Sequence, residues 1–218
     1  MNSSAVADVL LRFRQRVRLR LRRAWERSRR STHEHEGSID KVPAYIYPGQ
    51  GSQSVGMGAA LAAASTEAAA VWQTADEALG ESISQLAWEG PAEQLDLTVN
   101  AQPALLAASI AAQGALEKRL GDEASPFGPP SYYAGHSMGQ YSAMVAAGVL
   151  DLADAVRLVR ERGRLMQASS QNGAMAAIIG LPDEKNDELL AVGAAEGVIT
   201  MANRNSPGQI VILSLIHI

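Results

Sequence analysis

The segment Gly135-His136-Ser137-Met138-Gly139 sets a serine between two glycines at the spacing G-x-S-x-G. Glycines on both sides let a strand turn abruptly into a helix and present the serine oxygen at the apex of the turn. The chemistry this suits is covalent acyl transfer, in which Ser137 attacks a carbonyl carbon and carries the acyl group as an ester. The backbone N–H of Met138, at the start of the following helix, points to where the oxyanion of a tetrahedral intermediate would form. A second donor is available from Pro48-Gly49-Gln50-Gly51-Ser52-Gln53, another glycine-rich turn, through the N–H of Gln50. That loop also reads as an ordinary glycine turn, and it lacks the lysine of a phosphate-binding P-loop.

A charged group stands out on the helix that opens at Leu152. Steps of 100° per residue gather Leu152, Ala155, Val156, Leu158, Val159, Leu165 and Met166 into one apolar arc, with Arg157, Arg160, Glu161 and Arg164 opposite. Arg162 falls inside the apolar arc. A guanidinium facing a core is costly unless paired, and its planar fork matches a carboxylate. Arg162 is therefore read as a substrate carboxylate-binding residue, with a structural salt bridge as the alternative.

A serine at its ordinary pKa needs an adjacent base. The four histidines offer poor candidates: His33 and His35 lie in a polar linker, His217 lies near the end of the chain, and His136 adjoins Ser137. Neighbours on such a turn point apart, so His136 is read as a packing or orienting residue. Gln102 and Asn205 are further candidates for orienting roles near the site.

These residues need elements to hold them. The run Tyr45-Ile46-Tyr47 before the glutamine loop reads as a strand, followed by an alanine-rich helix over 57–79. A short helix covers 82–88, Gly90-Pro91 breaks it, and Pro103 is expected to open a long apolar helix reaching Leu120. A strand at 131–135 leads into the elbow and a helix over 139–147, and Asp151 caps a helix over 152–169. From Gly173 the pattern becomes strand, helix, strand, turn, strand. The fold class is thus α/β, with a body over 41–172 and a β-α-β-β subdomain over 173–212 that lacks the closing helix and strand of a ferredoxin-like unit.

Composition narrows the function. There is no cysteine, which excludes disulfides, thiolate metal sites and a cysteine nucleophile. No metal is implied. No apolar run approaches the roughly 18 residues of a membrane span, so no membrane association and a cytoplasmic location are expected. Residues 1–30 carry ten arginines against Asp8 and Glu26, so the rest of the chain is strongly acidic despite a net charge of −4. An acidic body poor in aromatic residues is a weak partner for nucleic acid. The basic arm and linker over 1–40 read as a solvated tail or over-extended gene start, a membrane-surface helix or a transit peptide, and no function is placed on them.

Five blocks in order carry a resemblance: YPGQGSQSVGMG, TVNAQPALLAASIAA, AGHSMGQYSAMVAAGVLDLADAVRLVRERGRLMQ, GAMAAIIGL and NRNSPGQIVI. Together, over about 44–212, they resemble the malonyl-CoA:acyl carrier protein transacylases of fatty-acid synthesis. The resemblance implies an α/β-hydrolase-like body with a parallel sheet and an inserted ferredoxin-like subdomain. It implies that Ser137 takes malonyl from malonyl-CoA and gives it to the phosphopantetheine thiol of acyl carrier protein, with Gln50 and Met138 as oxyanion donors and Arg162 on the malonyl carboxylate. It implies no cofactor beyond the substrate itself, and a monomer is expected.

In that family the catalytic histidine follows the region matched here, so this chain is expected to be a C-terminally truncated fragment without its base, poorly soluble and without turnover. The last six residues, LSLIHI at 213–218, do not read as the turn that should follow a hairpin strand and are expected to be non-native. Two other readings share the elbow: the acyltransferase domain of a polyketide synthase, and a serine hydrolase in which water replaces the thiol. The tyrosine of GQYSAMVAAGVLD favours the freestanding transacylase over the first.

Overall fold

A computed structural model of the chain describes residues 43–121, 130–169 and 173–214. The basic arm, His33, His35 and His217 lie outside the described residues. The chain divides into two units, with the boundary between Arg164 and Leu165.

In the first unit, strand β1 (Ala44–Tyr47) pairs in parallel with β2 (Tyr132–Gly135), Ala44 opposite Tyr132 and Tyr47 opposite Gly135. Both strands run into glycine-bearing turns at the same end of the pair. Parallel strands need a crossover connection, and here it is helical: α1 (Ala59–Ala64), α2 (Thr66–Leu79), α3 (Ile83–Glu89), α4 (Ala92–Leu95) and α5 (Thr98–Leu120). After β2 come α6 (Gly139–Ala146) and α7 (Leu152–Ser169). The fold is α/β with parallel pairing, as expected.

The alanine-rich stretch read as one helix is broken at Ser65. Its extended backbone ends α1, and its hydroxyl accepts from the N–H of Ala68 to cap α2, the role for which a short hydroxyl side chain is favoured. Gly80, at φ 69, closes α2 in the left-handed conformation. Helix α5 also differs from expectation, since it starts five residues before Pro103 and carries the proline inside its buried face. Its first turn is fixed from outside the helix: the side-chain amide of Asn100 donates to the carbonyl of Gln94 at 2.7 Å.

The core of this unit is built from alanines and leucines on α5 (Ala104, Leu105, Leu106, Ala107, Ala111) packed with Trp72, Ala68 and Ala75 of α2 and with Val156 and Val159 of α7. Trp72 and Trp88 meet edge to face at 5.6 Å between ring centroids. On α7, Ala155, Val156 and Val159 are buried as the helical arc requires, and Asp154 and Gly163 are buried as well. Leu165 and Met166, expected in the same arc, are 53% and 41% exposed. The buried residues of α7 end at Gly163, where a Cβ would meet the carbonyl oxygen of Thr98 at 2.6 Å and the Cα of Val99 at 2.7 Å.

The second unit contains β3 (Ala174–Ile179), a 3-10 turn (Asp183–Lys185), α8 (Asn186–Glu196), β4 (Ile199–Ser206) and β5 (Gln209–Ser214). The sheet order is β3-β5-β4, with β5 antiparallel to both neighbours. Strands β3 and β4 are therefore parallel and joined by the α8 crossover, while Pro207-Gly208 makes the tight turn of the β4–β5 hairpin. Leu213 and Ser214 continue β5, opposite Met175 and Ala174. No helix among the described residues is long and apolar enough to cross a membrane.

Candidate active site

Ser137 is the one non-glycine residue at positive φ among the described residues, at φ 51. That left-handed conformation is disfavoured for a side chain with a Cβ and persists only where the surroundings impose it. They do so from both sides. The N–H of His136 donates to the carbonyl of Tyr47 at 3.3 Å, stitching the end of β2 to β1. Past the serine, the N–H of Gly139 donates to the carbonyl of His136 at 2.8 Å and that of Gln140 to Ser137 at 3.2 Å, so the helical turn begins at once.

The elbow and the glutamine loop are in direct backbone contact. A Cβ on Gly139 would stand 2.5 Å from the carbonyl oxygen of Tyr47 and 2.6 Å from that of Pro48. One on Gly49 would meet the backbone oxygen of His136 at 2.9 Å and its Nδ1 at 3.0 Å. These glycines are required by close approach, and they bring the loop that carries Gln50 against the turn that carries Met138. The backbone N–H groups of Gln50 and Met138 have no acceptor among the described residues. Met138 itself is buried and anchors the elbow in the core.

Arg162 reaches the serine. Its Nη2 donates to Oγ of Ser137 at 3.1 Å, and its Nη1 donates to Oε1 of Gln102 at 2.7 Å. Gln102 is fully buried, so its amide is a fixed partner that aims the guanidinium. The structure therefore brings Ser137, Arg162 and Gln102 together. Neither acid nor carboxylate neutralises Arg162 at these contacts, which leaves a cation beside a nucleophile position.

Nearby, Arg160 projects from the other side of α7, donating to Oδ1 of Asn100 at 2.5 Å and pairing with Glu81. Burial lowers its pKa from the ordinary arginine value, with no loss of charge near neutrality. Arg164 forms a two-bond pair with Glu161, which holds that carboxyl below its usual range and raises Arg164.

His136 is exposed, and its ring packs against Gly49. It is the sole histidine among the described residues, and Arg162, a donor, is the side-chain partner of Ser137 there. Asn205 lies on β4 of the second unit and is exposed.

Sequence reasoning missed three residues that hold the glutamine loop. Nε2 of Gln50 donates to Oγ1 of Thr98 at 2.6 Å, Nε2 of Gln53 donates to Oδ1 of Asp96 at 2.9 Å, and Oε1 of Gln53 accepts from the N–H of Gly51 at 2.8 Å. The available signal was the i, i+4 spacing of Thr98 and Gln102, which puts both on one face of α5.

Comparison with known proteins places this arrangement in a family. An acyl transferase domain model matches residues 44–214. The malonyl CoA-acyl carrier protein transacylase of Escherichia coli strain K12 is 46% identical over 171 residues, covering 78% of this chain and 53% of the relative. The acyl-carrier-protein-S-malonyltransferase of Bartonella henselae superposes with a TM-score of 0.72 at 43% identity, over 79% of this chain and 55% of that one. A malonyl-transacylase solved in complex with a type II polyketide synthase acyl-carrier protein superposes with a TM-score of 0.71 at 43% identity, over 78% and 54%. The chain spans about half the length of the curated relatives it matches. Over the elbow, the glutamine loop and the helix that carries Arg162, this chain belongs to the acyl transferase domain family.

Proposed function

We propose that this sequence is the nucleophile-bearing portion of a malonyl-CoA:acyl carrier protein transacylase. The observation that carries the reading is the arginine at the serine: Nη2 of Arg162 lies 3.1 Å from Oγ of Ser137, and among the described residues the guanidinium is braced by a buried amide. A guanidinium held that way selects an acyl group bearing a carboxylate a short distance from its carbonyl, which malonyl has.

The reaction runs in two balanced halves. Oγ of Ser137 bonds to the thioester carbonyl carbon and its proton passes to a base; the C–S bond then breaks, and coenzyme A leaves as the thiol after taking up a proton. The phosphopantetheine thiol of acyl carrier protein attacks the seryl ester, and Ser137 recovers its proton as the ester bond breaks. In both halves the carbonyl oxygen becomes an oxyanion, and the N–H groups of Gln50 and Met138 are the donors proposed to receive it. Arg162 turns its Nη2 from Oγ to the malonyl carboxylate, which frees a lone pair for attack. We assign the general base outside the described residues, because His136 packs on Gly49 and its ring makes no hydrogen bond to Ser137 there.

At finer grain, we read the first unit as part of an α/β-hydrolase-like body and the β3-β5-β4 sheet with α8 as three strands of a ferredoxin-like unit, whose first, third and second strands stand in that order. The acyltransferase body over 41–172 and subdomain over 173–212 follow from that reading. Transfer to carrier protein is supported by the relative solved with such a partner.

The test is seryl ester formation. The chain is incubated with malonyl-CoA, with and without imidazole to supply a base, and digested for mass spectrometry. A malonyl ester on the peptide containing Ser137, absent in Ser137→Ala and discharged by holo acyl carrier protein, is the expected result. Labelling that persists in Ser137→Ala would exclude this site. Hydrolysis outpacing transfer to carrier protein would favour a serine hydrolase.

A further inference from the structure

We propose that Thr98, the first residue of α5, and Asp96, just before it, are positioning residues that set the backbone of the Gln50 loop against Ser137, so that the first turn of α5 aligns both the oxyanion donor and the carboxylate-binding arginine. The proposal rests on the seryl-ester reading above and extends it to residues that make no contact with the reacting atoms.

The loop needs external support. Residues 48–54 contain two glycines, and Gly51, at φ 102, sits in a conformation that glycine visits freely and others rarely. Such a loop has many backbone states, while an oxyanion donor works only in one: a misplacement on the order of 1 Å can cost about 10²-fold in rate. Two side chains remove that freedom. The Gln50 amide reaches Oγ1 of Thr98, and the Gln53 amide bridges the N–H of Gly51 to the carboxylate of Asp96.

The Gln53 bridge fixes its own orientation. With Oε1 on the N–H of Gly51 and Nε2 on Oδ1 of Asp96, both contacts pair donor with acceptor. A flipped amide would set N–H against N–H and oxygen against carboxylate, and lose both. The loop is thus pinned on either side of Gly51, and Gln50, whose N–H is the proposed donor, is pinned by its own side chain.

Thr98 is in turn held by packing tied to the site. The backbone of Thr98 and Val99 is in contact with Gly163, next to Arg162. One turn further along α5, Gln102 holds Nη1 of Arg162. The side chains at 98 and 102 lie on the same helical face, so the spacing between oxyanion loop and arginine is set by one turn of helix, a stiff ruler.

The experiment measures the rate and saturation of Ser137 ester formation from malonyl-CoA, in the chain with added imidazole, for Thr98→Val, Thr98→Ser, Asp96→Ala and Asp96→Asn. Valine keeps the shape of threonine without the acceptor; serine and asparagine keep an acceptor. The expected result is a loss of tenfold or more in maximal rate for Thr98→Val and Asp96→Ala, with half-saturation by malonyl-CoA within about twofold of wild type, and recovery in Thr98→Ser and Asp96→Asn. Such a split is what donor misalignment produces and general destabilisation does not. Gln50→Ala should lose as much as Thr98→Val, and the double variant no more than either, because both break one tether. Wild-type rates in Thr98→Val and Asp96→Ala would overturn the proposal alone. Absence of a Ser137 ester in the wild-type chain would overturn the reading it rests on, and the proposal with it.

Discussion

A Cβ on Gly135 would stand 2.1 Å from the carbonyl carbon of Gly139, so the two glycines that flank Ser137 are in contact across the elbow. No rotamer relieves that overlap, because the atoms met are backbone. Gly135→Ala should therefore destabilise the chain by about 3 kcal/mol or more, at the upper end of overpacking costs. Gly51→Ala is the control: nothing lies within 4 Å of its Cβ, and only its φ of 102 opposes a side chain, a cost of about 1–2 kcal/mol. Urea denaturation of both variants measures the difference, and equal losses would contradict the close contact at the elbow.

Arg162 should govern acyl choice more than acyl transfer. Removing a charge-assisted pair with the substrate carboxylate costs about 1.5–3 kcal/mol, which is about 10- to 150-fold. Arg162→Ala is expected to cut the preference for malonyl-CoA over acetyl-CoA by that factor, measured as competing ester formation at Ser137. Arg162→Lys keeps the charge without the fork that spans Gln102 and Ser137, and should fall between the two. An unchanged preference in Arg162→Ala would indicate a site with no carboxylate to bind, as a simple esterase has.

The parts of this site that were legible from residue order are those fixed by local rules. The elbow was visible because two glycines and a strand–helix transition lie within a few residues, and the start of α7 at Leu152 was marked by its apolar arc. Long-range contacts were not legible. Pro103 was read as a helix start because proline suits the first turn, yet α5 begins at Thr98, where Gly163 packs on its backbone. Leu165 and Met166 follow the arc in sequence but lie beyond the last buried contact of α7. The tethers Gln50–Thr98 and Gln53–Asp96 join residues more than forty positions apart, and no periodicity encodes them.

Gly163 should be a stability and activity determinant with separable effects. A side chain there would meet the Thr98 carbonyl at 2.6 Å and push α7 from α5. Gly163→Ala is expected to cost about 1–3 kcal/mol and to weaken discrimination for malonyl more than Gly51→Ala does, since Arg162 moves with the helix. Selectivity retained in a destabilised Gly163→Ala chain would separate the helix contact from the placement of Arg162.

Tyr47 links the strand under the site to pH. Burial raises its pKa above the ordinary value of 10.0, and the nearby phenols of Tyr133 and Tyr45 and the carboxylate of Glu117 add to the shift. Its hydroxyl donates to Oε1 of Gln113 at 2.5 Å, a bond that needs the phenol protonated. In the unfolded chain the phenol ionises near pH 10, so above that point the folded chain binds more protons than the unfolded one. Stability from this group is therefore full below pH 10 and declines as pH rises toward the folded-state pKa. Unfolding midpoints in urea should fall across that window more steeply for wild type than for Tyr47→Phe, which has no phenol to ionise. The comparison cancels the contribution of lysines and the other tyrosines, Tyr133 among them, whose pKa burial also raises. Parallel slopes in the two proteins would show that Tyr47 ionises as freely in the folded chain as in the unfolded one, and that β1 packs against α5 less tightly than the Tyr47–Gln113 bond requires.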